Sequence, residues 1–465
     1  MHYFRSIVRY SYSVTDARIA TDIPCHRNLP VHPAWQAALI IAFLALMVPG
    51  VVFPATLASD MPPNVLTMEN AVAIAIEGNP GLAEMQARAG AMAAIPSQAG
   101  ALPDPMLSLN ALNLPADTFD RDQEPMTQLQ IGIEQSLPFP GKLALQARAA
   151  EFDADAATSN VDETRLRLVH KVKQTWWQIY YLDRALEIVS RNQDLLRQFV
   201  QIAQTKYKVG EGLQQEVLLA QVELSRMFDR RIELQGLRQQ QLARLNALLD
   251  RPADTPVVLP EQVDEDLART LPEPQLYTRA EASRPLLEQR RQEVEAARTR
   301  RDFARRDRYP DFKLGAAYGF RQGENADGNS RPDLATFRLG MSLPLYAGRK
   351  QDKAVDQRSS EFLQKQYALQ DEFVQVQAEI SASLADYRRA SEQVQLFKTG
   401  IIPQARQSVA SMLSGYQVNK VDFLNLVRAQ ITLYDYETRY WKSFSEANQA
   451  LARLTAAVGE EVTSE

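Results

Sequence analysis

The 465-residue sequence holds one cysteine, Cys25, and four histidines. Cys25 lies ahead of an apolar, uncharged run at residues 37–53 (AALIIAFLALMVPGVVF), whereas a lipidated cysteine would follow such a run. If that run belongs to an export leader, the mature chain has no thiol, which excludes disulfides, a thiolate nucleophile and a cysteine-borne lipid. His2, His26 and His32 would leave with it, and His170 remains alone in a helical stretch, where it reads as a packing residue. The sequence contains no His-Glu-x-x-His, no cysteine cluster, no phosphate-binding loop and no Gly-x-Ser-x-Gly. No enzyme, cofactor or resident metal is therefore expected. Lys and Arg are interspersed among Asp and Glu, and the net charge is −5, so nothing resembles a nucleic-acid footprint.

Seventeen apolar residues stand at the lower edge of what spans a bilayer as a helix. Pro49, Gly50 and the small-residue exit that closes at Ala58 favour a signal peptide over residues 1–58 instead of an anchor. The residues before the run exceed a usual leader's n-region, which points to an extended leader or a start further along the chain. Residues 1–58 carry four Arg and two Asp, so their removal leaves a mature charge of −7.

What is present is a chain that says one thing twice. Asn79-Pro80 returns as Arg284-Pro285, Pro103-Asp104 as Pro310-Asp311, SLPFPGK (136–142) as SLPLYAGR (342–349), and Tyr207 with Ala220-Gln221 as Tyr416 with Ala429-Gln430. The offsets are 205, 207, 206 and 209. Four landmarks in one order mark duplication of a whole unit. We divide the mature chain into a first repeat over 59–260 (a helix, a β-hairpin at 104–137, long helices at 143–249) and a second over 261–465 (a helix, a hairpin at 310–345, long helices at 350–457).

The hairpins alternate with period two. Leu129, Ile131, Ile133 and Leu137 share one face, against Gln128, Gln130, Gly132, Glu134 and Ser136 on the other. Phe337, Leu339 and Met341 oppose Arg338 and Gly340, and Phe312, Leu314, Ala316, Tyr318 and Phe320 oppose Lys313, Gly315 and Gly319. The strand near 104–114 is less regular, because Leu112 breaks rank. Taken alone, this pattern fits an antiparallel sheet with one wet face as well as a membrane barrel with lipid outside and water inside. The leader and the polar loops at 115–125 and 321–333 favour the barrel. Four strands cannot close in lipid without unpaired edges, so several copies must pool them. Three copies give twelve strands; two copies are also permitted by the count.

Between Lys142 and Tyr207 there is neither proline nor glycine, and Val169, Val172, Trp176, Ile179, Leu186 and Val189 recur in coiled-coil-like steps. At about 1.5 Å per residue such a helix is on the order of 95 Å long, beyond any single globular core. The second repeat offers the same run from Lys350 to Met412 with a break at Gly400 and Pro403. On the returning helix, Leu224, Phe228, Ile232, Leu242, Leu245 and Leu249 are the expected seam. The proline-rich segment 251–275 is expected to be a linker or a partly structured girdle.

These residues resemble the TolC-type outer-membrane efflux family over essentially the whole mature chain, and the LPFPGK wording is most similar to its heavy-metal branch. The carriers are IGIEQSLPFPGK, LGMSLPLYAGR, YPDFKLGAAYGF, YKVGEGLQQEVLLAQVEL and YQVNKVDFLNLVRAQITL. The resemblance implies a mainly α protein with a membrane β-barrel. An internally duplicated α-helical barrel would lie in the periplasm of a Gram-negative bacterium, and four strands per chain would close as a homotrimeric 12-stranded barrel in outer-membrane lipid. It implies an exit duct for metal cations or small toxic compounds, served by a periplasmic adaptor and an inner-membrane RND-type pump. A duct for type I protein secretion and a pore-free coiled-coil scaffold are the alternatives.

By the same resemblance the adaptor meets the helix tips, here Val209, Gly210, Glu211, Gly212 and Leu213, and Val418, Asn419, Lys420 and Val421. Gly210 or Gly212, and Asn419, supply residue types that tolerate a left-handed turn. The family narrows its periplasmic aperture with carboxylates at positions that are Asn425 and Arg428 here, a departure from its pattern. Glu216 and Asp422 are the nearest carboxylates, and Tyr416 completes the expected aperture group. A ring of Arg428 side chains would repel cations. Pro138, Pro140 and Gly141, with Pro344 and Gly348, mark the expected strand-to-helix junctions.

Overall fold

The structure, a computed structural model, describes residues 65–463, so the leader expected over 1–58 lies outside the described residues. Three short helices open the described chain: α1 (Met68–Gly78), α2 (Pro80–Ala93) and α3 (Ile95–Gly100). The first hairpin, β1 (Met106–Leu112) and β2 (Gln128–Leu137), leads into α4 (Lys142–Lys208) and α5 (Gln214–Leu248). The second repeat runs α6 (Glu273–Ser283), α7 (Pro285–Arg306), β3 (Phe312–Phe320), β4 (Leu334–Met341), α8 (Gln351–Leu396), a π-helical turn (Phe397–Ile401), α9 (Ile402–Gln417) and α10 (Phe423–Val458).

The duplication is structural as well as verbal. Shifting α1 by 205 residues gives the bounds of α6. Within the hairpins, Leu109 pairs with Ile131 in one and Ala316 with Phe337 in the other, which are the same rung after shifts of 207 and 206. Both repeats contribute to one antiparallel sheet of order β1-β2-β3-β4, because β2 pairs with β3 from Leu129↔Phe320 to Leu137↔Phe312. β1 and β4 keep one unpaired edge each.

The 67 residues of α4 form one helix, about 100 Å long at the standard rise. No proline or glycine interrupts it, and its buried residues run from Lys142 to Ala203 as a column, not a single nucleus. Near its middle, Trp176 stacks on Tyr180 and meets Trp177 edge-on, and Trp177 and Tyr180 meet Phe444 and Trp441 of α10 edge-on, while the indole N–H of Trp176 donates to the Leu66 carbonyl at 3.0 Å. Towards the far end, Phe199 packs on Phe423. In the second repeat the expected break at Gly400 and Pro403 is a π turn: Pro403 has no N–H to continue the ladder, and the Ile402 N–H reaches back to Phe397.

Two expectations are corrected. The seam that α5 buries is Val217, Ala220, Met227 and Leu234, followed by Leu242 and Leu245, while Ile232 is exposed and Leu224 and Phe228 are half-buried. The helix carries apolar residues on two faces, and Leu218, Val222 and Ile232 point away from the chain's own core. The strands are also shorter or displaced: β1 begins only at Met106, and Leu343 lies beyond β4. Segment 251–270 has no helix, yet it is tied in by a backbone bond from Leu66 to Val258 and a bridge between Thr270 and Thr463. Its own Val257 and Leu259 are buried.

Candidate functional site

The sheet is built inside out. In β2 the polar residues Gln128 and Gln130 are buried while Ile131 and Ile133 are exposed. Across the pairing register the exposed apolar face continues through Leu107, Leu109, Leu314, Tyr318, Phe337 and Leu339. The other face is concave and lined by Ser108, Asn110, Gln130, Glu134, Thr336 and Arg338. Lys313 lies 3.3 Å from Glu134 on that face. Glycines make the concavity: a Cβ on Gly319 would overlap the Gln128 amide, and one on Gly132 would press on Ala317 and Ser108. An apolar convex face with a charged, water-suited concave face is the arrangement for lipid outside and an aqueous lumen inside. Above the sheet, Arg331 donates to the carbonyls of Asp122 and Glu124, and Arg321 to that of Pro125, so the two polar loops hold each other.

The first strand-to-helix junction joins the repeats. After Pro138 the Phe139 N–H donates to Asp311 at 2.8 Å, and the Phe139 ring stacks on Tyr309 at 4.6 Å. Gly141 takes φ +85°, and any Cβ there would strike Arg306, whose guanidinium donates to the Pro140 carbonyl. Lys142, only 3% exposed, donates to Asp311 at 2.8 Å and Asp307 at 3.0 Å. Burial pulls the Lys142 pKa down, but the hydrogen bonds and charge of Asp311 and Asp307 outweigh it and raise the pKa above the ordinary value. At the second junction, Pro344 and Gly348 sit in a run of turns with open space around Gly348, and Leu345 and Tyr346 are exposed.

At the opposite end the two helix tips lie side by side. Gly210 (φ +79°) turns the first and Asn419 (φ +59°) the second. Val209 and Leu213, like Val418, are exposed, and so are Glu211 and Lys420; Gly212 is half-buried against Lys206, and Val421 is half-buried. Lys206 links the tips: its ammonium donates to the Tyr416 carbonyl and the Asn419 side chain, and lies 4.2 Å from the Tyr416 ring centroid. Sequence reading missed Lys206. Its counterpart in the second repeat is Gly415, and that asymmetry was the available signal.

The five residues expected at the aperture separate into two groups. Tyr416 is buried at 4% exposure, and its hydroxyl donates to Glu216 at 3.2 Å. Burial first, then the Glu216 carboxylate, drives the Tyr416 pKa far up, so the phenol stays protonated. Tyr416 and Glu216 thus brace the tips from within the chain. Asp422 caps α10 by accepting from the Leu424 N–H at 3.0 Å. Asn425 and Arg428 are exposed on the first turns of α10. Among the described residues no His, Cys, Asp or Glu cluster is arranged to hold a metal, and no helix is long and apolar enough to cross a membrane.

Comparison with known proteins agrees with this geometry. Residues 71–251 and 276–460 both match the outer membrane efflux protein family. The sequence is 23% identical over 411 residues to the cobalt-zinc-cadmium resistance protein CzcC of Cupriavidus metallidurans, covering 85% of this chain and 90% of that protein. Among solved structures, CusC, whose crystal structures concern folding and transmembrane channel formation, superposes with a TM-score of 0.73 at 16% identity, over 86% of this chain and 93% of that one. The outer membrane protein VceC of Vibrio cholerae gives 0.71 at 19% identity, over 85% and 96%.

Proposed function

We propose, for a chain that belongs to the outer membrane efflux protein family, that it is the passive exit duct of a tripartite efflux system. Three copies pool their sheets into a closed barrel in the outer membrane, and the long helices continue it as a tunnel through the periplasm. The observation that carries this reading is the inside-out sheet: its apolar convex face and two bare edges are untenable in water or in lipid for one copy alone. A pore-free scaffold has no use for such a face.

The tips at residues 209–213 and 418–421 are the proposed docking points for a periplasmic adaptor, behind which an inner-membrane RND-type pump supplies the energy. Asn425 and Arg428 line the proposed aperture, with Asp422 beside them. The cargo is proposed to be metal cations or small toxic compounds, a reading supported by the likeness to a cobalt-zinc-cadmium resistance protein. A conduit with no metal-holding cluster among its described residues suits cargo that must not be retained.

Reconstitution of the leader-free protein into a planar bilayer tests the reading. Discrete conductance steps are expected, and a bilayer that stays silent over a range of protein concentrations contradicts it. Deleting the gene is expected to raise sensitivity to cobalt, zinc or cadmium; unchanged sensitivity to all three redirects the cargo towards organic compounds.

A further inference from the structure

The internal repeat supplies a template for a contact that a single chain cannot display. Inside one chain, β2 of the first repeat meets β3 of the second, and the seam is finished by Lys142 on Asp311 and Phe139 on Tyr309. In a closed ring the one remaining kind of seam lies between β4 of one copy and β1 of the next. Because each repeat is a copy of the other, that seam should repeat the internal one.

Carrying the β2–β3 register over with the observed shifts of 206 and 207 residues places Leu339 opposite Leu109, Met341 opposite Leu107 and Phe337 opposite Ala111. Polar Arg338 then faces Asn110, and Gly340 faces Ser108. In this register the exposed Phe337, Leu339 and Met341 of β4 fall beside the apolar face of β1, whereas a slip of one residue would reverse the faces.

With the one extra residue of SLPLYAGR counted, Lys142 aligns with Arg349, and the shift of 207 carries Asp311 onto Asp104. Both residues are exposed, and neither side chain has a partner among the described residues. Leu345 and Tyr346, standing where half-buried Phe139 stands, are 80% and 76% exposed, while Leu102 is as exposed as its counterpart Tyr309. Charge and apolar surface are thus left open in one chain at the counterparts of Lys142 and Phe139, which the internal seam covers. Asp307 has no equivalent, since its counterpart is Gly100, so this seam keeps one carboxylate of the two.

We propose that Arg349 pairs with Asp104 of the partner subunit and that this latch fixes the β4-to-β1 register in which Leu339 meets Leu109 of the partner subunit. The proposal rests on the trimeric duct reading and adds the residues that join its copies. The mature chain has no cysteine, so engineered disulfides report the register directly. The leader-free protein carrying S108C/G340C or L109C/L339C, two adjacent rungs, is oxidised in detergent and run without reductant, with S108C/T336C as the control displaced along β4 by four residues. Covalent dimers and trimers are expected from at least one of the two on-register pairs and not from the control, since a disulfide needs Cβ atoms about 4 Å apart. In parallel, D104R and R349D are each expected to lower the temperature at which the oligomer dissociates, and D104R/R349D together to restore most of the loss.

An oligomer of normal mass that cross-links only through S108C/T336C, or through neither set, overturns the register while leaving the duct reading intact. Failure of the charge swap to recover what each single change loses overturns the latch. A chain that is monomeric in detergent overturns both the inference and the duct reading.

Discussion

Lys142 is charged, nearly fully buried and held by two carboxylates from the other repeat. Replacing it with methionine keeps the packing volume but leaves Asp307 and Asp311 without their cation; both are about half exposed and regain water, so the expected loss is about 2 kcal/mol of unfolding free energy, readable by chemical denaturation. His170 offers a pH handle. Burial, then the nearby charges of Arg453 and Lys171, lowers its pKa, against a weaker opposing hydrogen bond at Ala452. A folded pKa below the unfolded value means the unfolded chain binds the proton first as pH falls. Stability from this group is therefore complete above about pH 6.5 and declines as pH drops towards the folded pKa. His170→Gln is expected to flatten that part of the stability profile; a thermal-unfolding series with the same slope in both proteins contradicts the assignment. Neither environment was legible in the sequence, which read Lys142 as part of a junction motif and His170 as a packing residue. The partners lie 165 to 169 residues away for Lys142, and only the fold brings them together.

Among the elements, those governed by local periodicity were the readable ones. The alternation in β2 and β3 and the absence of proline and glycine through α4 announced strand and helix directly, because each pattern reports its own backbone geometry. The seam of α5 was not readable for a physical reason: Leu218, Val222 and Ile232 form a second apolar face, and sequence does not say which face meets the same chain. The tip turns were readable in part. Asn419 at φ +59° is expected to tolerate glycine, whereas Asn419→Val should cost about 1–2 kcal/mol locally, the usual penalty for a left-handed non-glycine residue. Faster amide hydrogen exchange in the first turns of α10 in the valine variant, with a smaller increase in the glycine variant, which loses only the bond from Lys206, is the expected result. The bracing of that turn by Lys206 and Tyr416 was hidden, since it depends on one repeat's tip leaning on the other's.

For the whole molecule, duplication is the feature from which the rest follows: two hairpins yield a four-stranded sheet with two bare edges, and two helix pairs yield tips at one end. Under the aperture reading, Arg428→Asp replaces a ring of positive charge with a negative one, so cation selectivity in bilayer recordings should rise relative to wild type; unchanged selectivity removes Arg428 from the constriction. If exposed apolar strands force copies to unite around water, native mass spectrometry of the leader-free protein released from detergent should show a single species with the mass of three chains, obtained only when detergent is present. A monodisperse, freely soluble monomer in plain buffer contradicts this.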